Sequence, residues 1–304
     1  MNPSEGQSGS YELMNSGGVR SGGYELIQNT LGEMEGVVLR QSTQKAEVAA
    51  EAVGLPYEAK NKYTIHQLPT SKKVKTHPND PDGWSPTGPE LKALESFMYA
   101  NEESGCFART VMKCLGCGSL RPLKMHFTVG SDGGDVYLID RPFKCGGVLC
   151  CPLEMPLDAM GSGNTEPTRI GRVREDFSPY LGRCCSLCCL GMTYTDIERA
   201  LPDGSYEKRY SLRLNLCCCG RVNNCCAPSC CRNDAVYDVL DPKGEVVANL
   251  QVSFGSGECL KALCRLGGGF TNFVLEFPRD STPQDRALLL AALFQLDYAF
   301  FEIN

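Results

Sequence analysis

This sequence predicts a mostly β chain that closes into an antiparallel barrel, with one apolar α-helix toward its C-terminal end. Three observations carry that expectation. Glycine and proline are plentiful, 32 and 18 of 304 residues, so turns are frequent and long helices are disfavoured. Three pairs of segments alternate apolar and polar residues across short turns: LKMHFTV and DVYLID around GSDGG, TYTDIERAL and YEKRYSLRLNL around PDGS, AVYDVL and EVVANLQV around DPKG. Between Ala287 and Phe301 only Gln295 and Asp297 are clearly polar, so a helix there is apolar on almost every side and must be covered by protein or by lipid.

In chain order, residues 1–29 are rich in Gly, Ser and Asn and read as a disordered tail. Two copies of Tyr-x-x-apolar lie in it, Tyr11 to Met14 and Tyr24 to Ile27, a pattern shared with tyrosine-based sorting signals that engage trafficking adaptors. An uninvolved duplication gives the same pattern. Leu31, Met34, Val37, Val38 and Leu39, followed by an Ala/Glu-rich run, predict an amphipathic helical segment over residues 30–52. NKYTI at Asn61 reads as the first strand of the 30–304 domain. The polar, Pro-rich stretch 68–92 reads as a loop inserted between the first two strands; Lys72, Lys73 and Lys75 in it are either solvated or face anionic lipid. The hairpins follow. The helix start is then marked by Thr282 at the N-cap, Pro283 at the first helical position and Asp285 three residues after the cap. An apolar run of about 15 residues falls short of the roughly 20 of a bilayer span, and Asp297 within it requires hydrogen-bonding partners or a raised pKa.

A net charge of −6 gives no electrostatic footprint for nucleic acid. The first residues lack the apolar core of a secretory signal, so the expected compartment is the cytosol. The chain nevertheless has 19 cysteines. Reducing conditions disfavour a disulfide framework, and adjacent pairs suit one poorly. The clusters include Cys145, Cys150 and Cys151, and then Cys184, Cys185, Cys188 and Cys189. Clustered cytosolic thiols are candidates for S-acylation, in which two chains anchor stably where one does not. Cys114 with Cys117, and Cys185 with Cys188, have zinc-type spacing, and packing in tight turns is the third reading. No catalytic constellation is visible, so an enzyme is not expected: the histidines His66, His77 and His126 have no metal spacing, LGGGF lacks the lysine of a phosphate loop, and FGSGE lacks the full nucleophile-elbow pattern.

FPRD, then a helix, then LDYAFFE near the C-terminal end resembles the phospholipid scramblases, and Phe277, Pro278, Asp280, Phe294, Asp297 and Glu302 fit that pattern without a gap. RPFKC at Arg141, FMYANEESGC at Phe97, LRPLKM at Leu120 and NKYTI at Asn61 extend the resemblance over roughly residues 30–304. It implies a tubby-like fold, a closed barrel around a buried C-terminal helix. It also implies ATP-independent movement of phospholipids between leaflets, at the cytosolic face of the plasma or endosomal membrane. Attachment would be by acylation, in which the group after RPFKC takes part, or by the C-terminal helix. A membrane-tethered lipid-binding or adaptor module without that activity is the alternative. The partner expected from the resemblance is a phospholipid membrane; trafficking adaptors are expected from the Tyr11 and Tyr24 patterns, and further copies of the chain where scrambling requires oligomers. The implied cofactor is calcium, for which Asn272, Asp280 and Asp285 are the candidate ligands, although Gly269, Thr271 and Thr282 stand where the family has further acidic residues. The insertion at 68–92 also departs from the family, which has a tight connection there.

Overall fold

The computed structural model describes residues 23–42, 62–77, 80–103, 122–130, 133–142, 152–161, 166–176, 190–217, 234–254 and 271–298. Twelve antiparallel strands form a closed barrel in which each strand pairs with its neighbour in the chain and β1 closes against β12. They are β1 Gly36–Ser42, β2 Lys62–Gln67, β3 Ser96–Glu103, β4 Leu123–Val129, β5 Asp135–Arg141, β6 Glu154–Ala159, β7 Thr168–Asp176, β8 Leu190–Ala200, β9 Tyr206–Cys217, β10 Asp234–Leu240, β11 Val246–Phe254 and β12 Thr271–Glu276. Helix α1 Gly23–Glu33 precedes β1, a short α2 Gly88–Ala93 lies between β2 and β3, and α3 Pro283–Leu296 follows β12.

The predicted hairpins are present with their turns. In the β8–β9 and β10–β11 turns, Gly204 and Gly244 take φ of 82° and 87°, a left-handed conformation that side chains resist. Inward positions alternate with outward ones along each strand, so Val37 and Leu39, Tyr63 and Ile65, Met125 and Phe127 share one interior with α3.

α3 fills that interior. Every residue from Asp285 to Leu296 is buried. Its contacts come from all sides: Phe294 packs edge-on against Tyr63 of β2 at 5.0 Å and Phe127 of β4 at 5.2 Å, and the helix also packs on β6, β7, β8 and α1. A Cβ on Gly171 of β7 would collide with the Glu198 carbonyl and come within 2.9 Å of Leu288, so glycine there lets wall and helix approach. The helix start is as the sequence predicts: Thr282 caps, its hydroxyl accepts from the Asp285 N–H, and the Asp285 carboxylate accepts from the Thr282 N–H in return. Asp297 finds its partner in Tyr63, whose hydroxyl donates to it at 2.6 Å.

Three expectations are corrected. The predicted tail overlaps α1: residues 23–29 are helical, because Ile27, Leu31 and Met34 form a stripe that packs into the core, and residues 1–22 lie outside the described residues. Residues 36–42, expected to be helical, form strand β1; pairing with β12 on one side and β2 on the other overrides the local pattern. NKYTI is consequently the second strand. Residues 68–92, read as a polar loop, form a strap packed on the outer wall. Leu68, Val74, Trp84 and Leu91 cover the outward-facing Val38 and Val274. α2 within the strap starts at a capping box between Thr87 and Glu90, and the Thr87 N–H and hydroxyl hold the Glu90 carboxyl down to about 2. Lys75 is buried, with its N–H on Gln251, and Lys72 lies over the Trp84 ring and pairs with Glu90, so neither is a free lysine facing lipid.

Candidate functional site

Strict up-and-down pairing gives the barrel two unlike rims. At the near rim α3 enters and the connections following even-numbered strands run, including the tight turns 201–205 and 241–245. At the far rim the odd-numbered strands end and the even-numbered strands begin. The cysteines fall out by this parity. Three lie between β3 and β4, three between β5 and β6, four between β7 and β8, seven from the last residue of β9 to β10, and two between β11 and β12. All nineteen therefore belong to far-rim connections or to the strand end beside one. Those five connections also carry nine Lys or Arg and one acid, Glu258; the sixth, between β1 and β2, has no cysteine and adds Lys45, Lys60, Glu47, Glu51 and Glu58, in a chain whose net charge is −6.

Cys145, Cys150, Cys151, Cys184, Cys185, Cys188 and Cys189 themselves lie outside the described residues, as does Tyr11. What is described is the set of strand ends between which these cysteines run. Tyr24 opens α1, and Ile27, the apolar residue of its sorting-type sequence, is 1% exposed in the core, so that copy does not present its apolar residue at the surface.

The three calcium candidates do not form one shell. Asp285 is fully buried inside the near rim, with its carboxylate taken up by the Thr282 N–H and hydroxyl and by Arg209 at 3.3 and 3.4 Å. Asp280 is exposed in the turn before α3. Both acids face Tyr210: burial first, then Asp285 and Asp280, push its hydroxyl above the usual tyrosine range. Asn272 sits at the other end of β12, on the outer wall, in register with Arg40 of β1. A guanidinium in that position opposes a divalent cation. Among the described residues no group of three or more His, Cys, Asp or Glu has the arrangement of a metal site.

The outer wall from β6 to β10 is laced with ion pairs. Arg169 pairs with Asp158, Arg172 with Glu198 and Glu154, Arg199 with Glu207, Lys208 with Asp196, and Arg213 with Asp238. Each such exposed pair contributes only about 0–1 kcal/mol, but together they leave that wall without a concentrated positive field. Among the described residues, no helix is long and apolar enough to cross a membrane. The chain matches no protein-family model, and no solved structure matches it.

Proposed function

We propose that this protein is a scramblase-type membrane protein, held end-on through its far rim against the cytosolic leaflet, where it promotes ATP-independent movement of phospholipids between leaflets. The observation that carries the reading is that all nineteen cysteines fall in sequence between strand ends of one rim, or at such a strand end, in connections that together hold eleven Lys or Arg and four acids. Two or more acyl chains anchor a protein stably where one does not. Each Lys or Arg near an anionic leaflet adds about 1 kcal/mol of attraction. An acylated cationic rim suits such a surface, and the near rim, with Asp80, Asp203, Asp241 and Asp280, suits the aqueous side. The fold agrees with the architecture that the scramblase resemblance implies, although fold alone does not assign activity.

The same geometry constrains the route. α3 occupies the lumen, so headgroups do not travel through the barrel. Its 14 residues measure about 21 Å, against a hydrocarbon core of roughly 30 Å. Withdrawing it would expose Leu288, Leu289, Leu290, Leu293, Phe294 and Leu296. At about 1.5–3 kcal/mol each, that approaches the whole stability of a domain, about 5–15 kcal/mol. Lipid movement on this reading takes place in the bilayer beside the rim, through local deformation by several anchored copies. The enclosed helix equally suits a tethered lipid-binding or adaptor module, and that is the second reading.

Reconstitution separates them. The full acylated chain is placed in liposomes with fluorescent lipid in both leaflets, and the outer leaflet is bleached with and without calcium. Bleaching beyond the outer half supports scrambling. Bleaching that stops at the outer half, with the chain still membrane-bound until hydroxylamine cleaves its thioesters, favours the tethered module.

A further inference from the structure

We infer that the outer wall next to the far rim, centred on Arg40, binds the phosphate of an anionic phospholipid headgroup. The inference rests on the far rim facing the bilayer. It begins from register. Directly paired residues of an antiparallel sheet share a face, and with Val37 and Leu39 turned inward, Arg40 points outward. One row around the outer wall reads Tyr99, Thr64, Arg40, Asn272, Ser253, Asp234 across β3, β2, β1, β12, β11 and β10. The row stands two residues from Ser42 at the end of β1 and two from Lys62 at the start of β2, so it borders the far rim.

The chemistry of this patch differs from that of the laced wall. The Arg40 side chain is half-buried and makes no hydrogen bond or ion pair with a described residue. Its outward neighbours Lys62, Thr64, His66, Ser42, Asn272 and Val274 include no carboxylate. The nearest acid in its row, Asp234, stands three strands away, roughly 14 Å at the usual strand spacing. Asn272 is 3% exposed, and its Oδ1 is a buried polar atom with no partner. A guanidinium fork and an exposed ammonium at Lys62, with the Thr64 hydroxyl between them also meeting His66 Nε2 at 2.8 Å, together are the donor set of a phosphodiester site.

The test compares binding of the full acylated chain to vesicles of phosphatidylcholine containing phosphatidylserine and to vesicles of phosphatidylcholine alone. The expected result is a preference for the anionic vesicles that falls roughly tenfold in Arg40→Gln, the equilibrium equivalent of one charge-assisted hydrogen bond. Arg40→Lys recovers part of it. Arg169→Gln, which removes a cation already paired on the laced wall, leaves the preference unchanged. Lys62→Gln, at an exposed position that carries no packing, lowers it several-fold and keeps the test valid where Arg40→Gln does not fold. Anionic preference within twofold of the unsubstituted chain in both folded variants overturns the site. Inorganic phosphate protecting Arg40 in the absence of any vesicle effect also overturns it, as a headgroup site. Attachment of the unsubstituted chain to neither vesicle is the separate failure of the far-rim reading.

Discussion

The hydroxyl of Tyr63 donates to a carboxylate oxygen of Asp297 at 2.6 Å, joining the second strand to the end of the enclosed helix across 234 positions of sequence. Both residues are almost fully buried, and the Tyr63 ring also meets Phe294 edge-on. Tyr63→Phe keeps the ring and removes the donor, which leaves a buried carboxylate under-bonded. The expected cost is about 1–3 kcal/mol, read as a fall in Tm of roughly 2–4 °C per kcal/mol for a domain of this size. An unchanged Tm would show that other groups satisfy Asp297.

Arg286 should matter through α1. Its Nη1 lies 2.6, 2.8 and 2.9 Å from the carbonyl oxygens of Leu31, Gly32 and Met34, and its Nε donates to Ser281. The side chain thus terminates α1 from inside the first turn of α3, with positive charge at a helix C-terminus. Arg286→Met should release α1 while the barrel stays folded. Hydrogen exchange of amides 27–34 should rise by an order of magnitude or more, with those of β4 and β5 unchanged.

Asp285 is expected to act as a structural group. Asp285→Ala removes a cap, worth about 1 kcal/mol, and strips Arg209 of its buried partner, a change that costs about 3–5 kcal/mol in other buried pairs. The Arg209 side chain is partly exposed, so the sum lies toward the lower end of that range. Denaturation should show the same loss in chelator and in calcium. A loss seen only in calcium would return Asp285 to the ligand set.

Acid should weaken the fold through His66. Burial, with Arg40 adding to it, holds this histidine below its ordinary 6.5 against the raising effect of the Glu95 and Leu94 backbone. As pH falls, the unfolded chain therefore takes up the proton before the folded chain does. The stability that His66 contributes is complete above pH 6.5 and is lost as pH drops below it. His66→Gln should flatten the stability profile over that window, measured by urea midpoints.

Gly171→Ala should destabilise by about 1–3 kcal/mol or more, because the new methyl meets the Glu198 carbonyl and Leu288 with no flexible chain end to give way on the backbone side. The same exchange at Gly88, where the space is open, provides the control for thermal melts.

The hairpins and the cap of α3 were legible because their signals are local: alternation across a turn, and Thr282-Pro283 with Asp285. β1 was not. Val37, Val38 and Leu39 carry no alternation, and their extended form comes from partners at Phe273–Leu275 and Ile65–Gln67, which no window around residue 38 contains. α1 was nearer to hand, since Ile27, Leu31 and Met34 keep a helical spacing inside a Gly-rich composition. The strap escaped notice because Val74, Trp84 and Leu91 follow no period; their burial depends on Val38 and Val274 facing outward. The cysteine clusters were plain in the sequence, yet that all of them fall between strand ends of one rim emerges only once the strands are counted and their parity fixed.

The seam between β1 and β12 sets an order of events during synthesis. A ribosome delivers Gly36–Ser42 long before Thr271–Glu276, and α3 later still. Until then the nascent sheet has an unpaired margin at β1 and an unfilled centre. The ring can close only after β12 has been made, and its centre can fill only after α3 has followed.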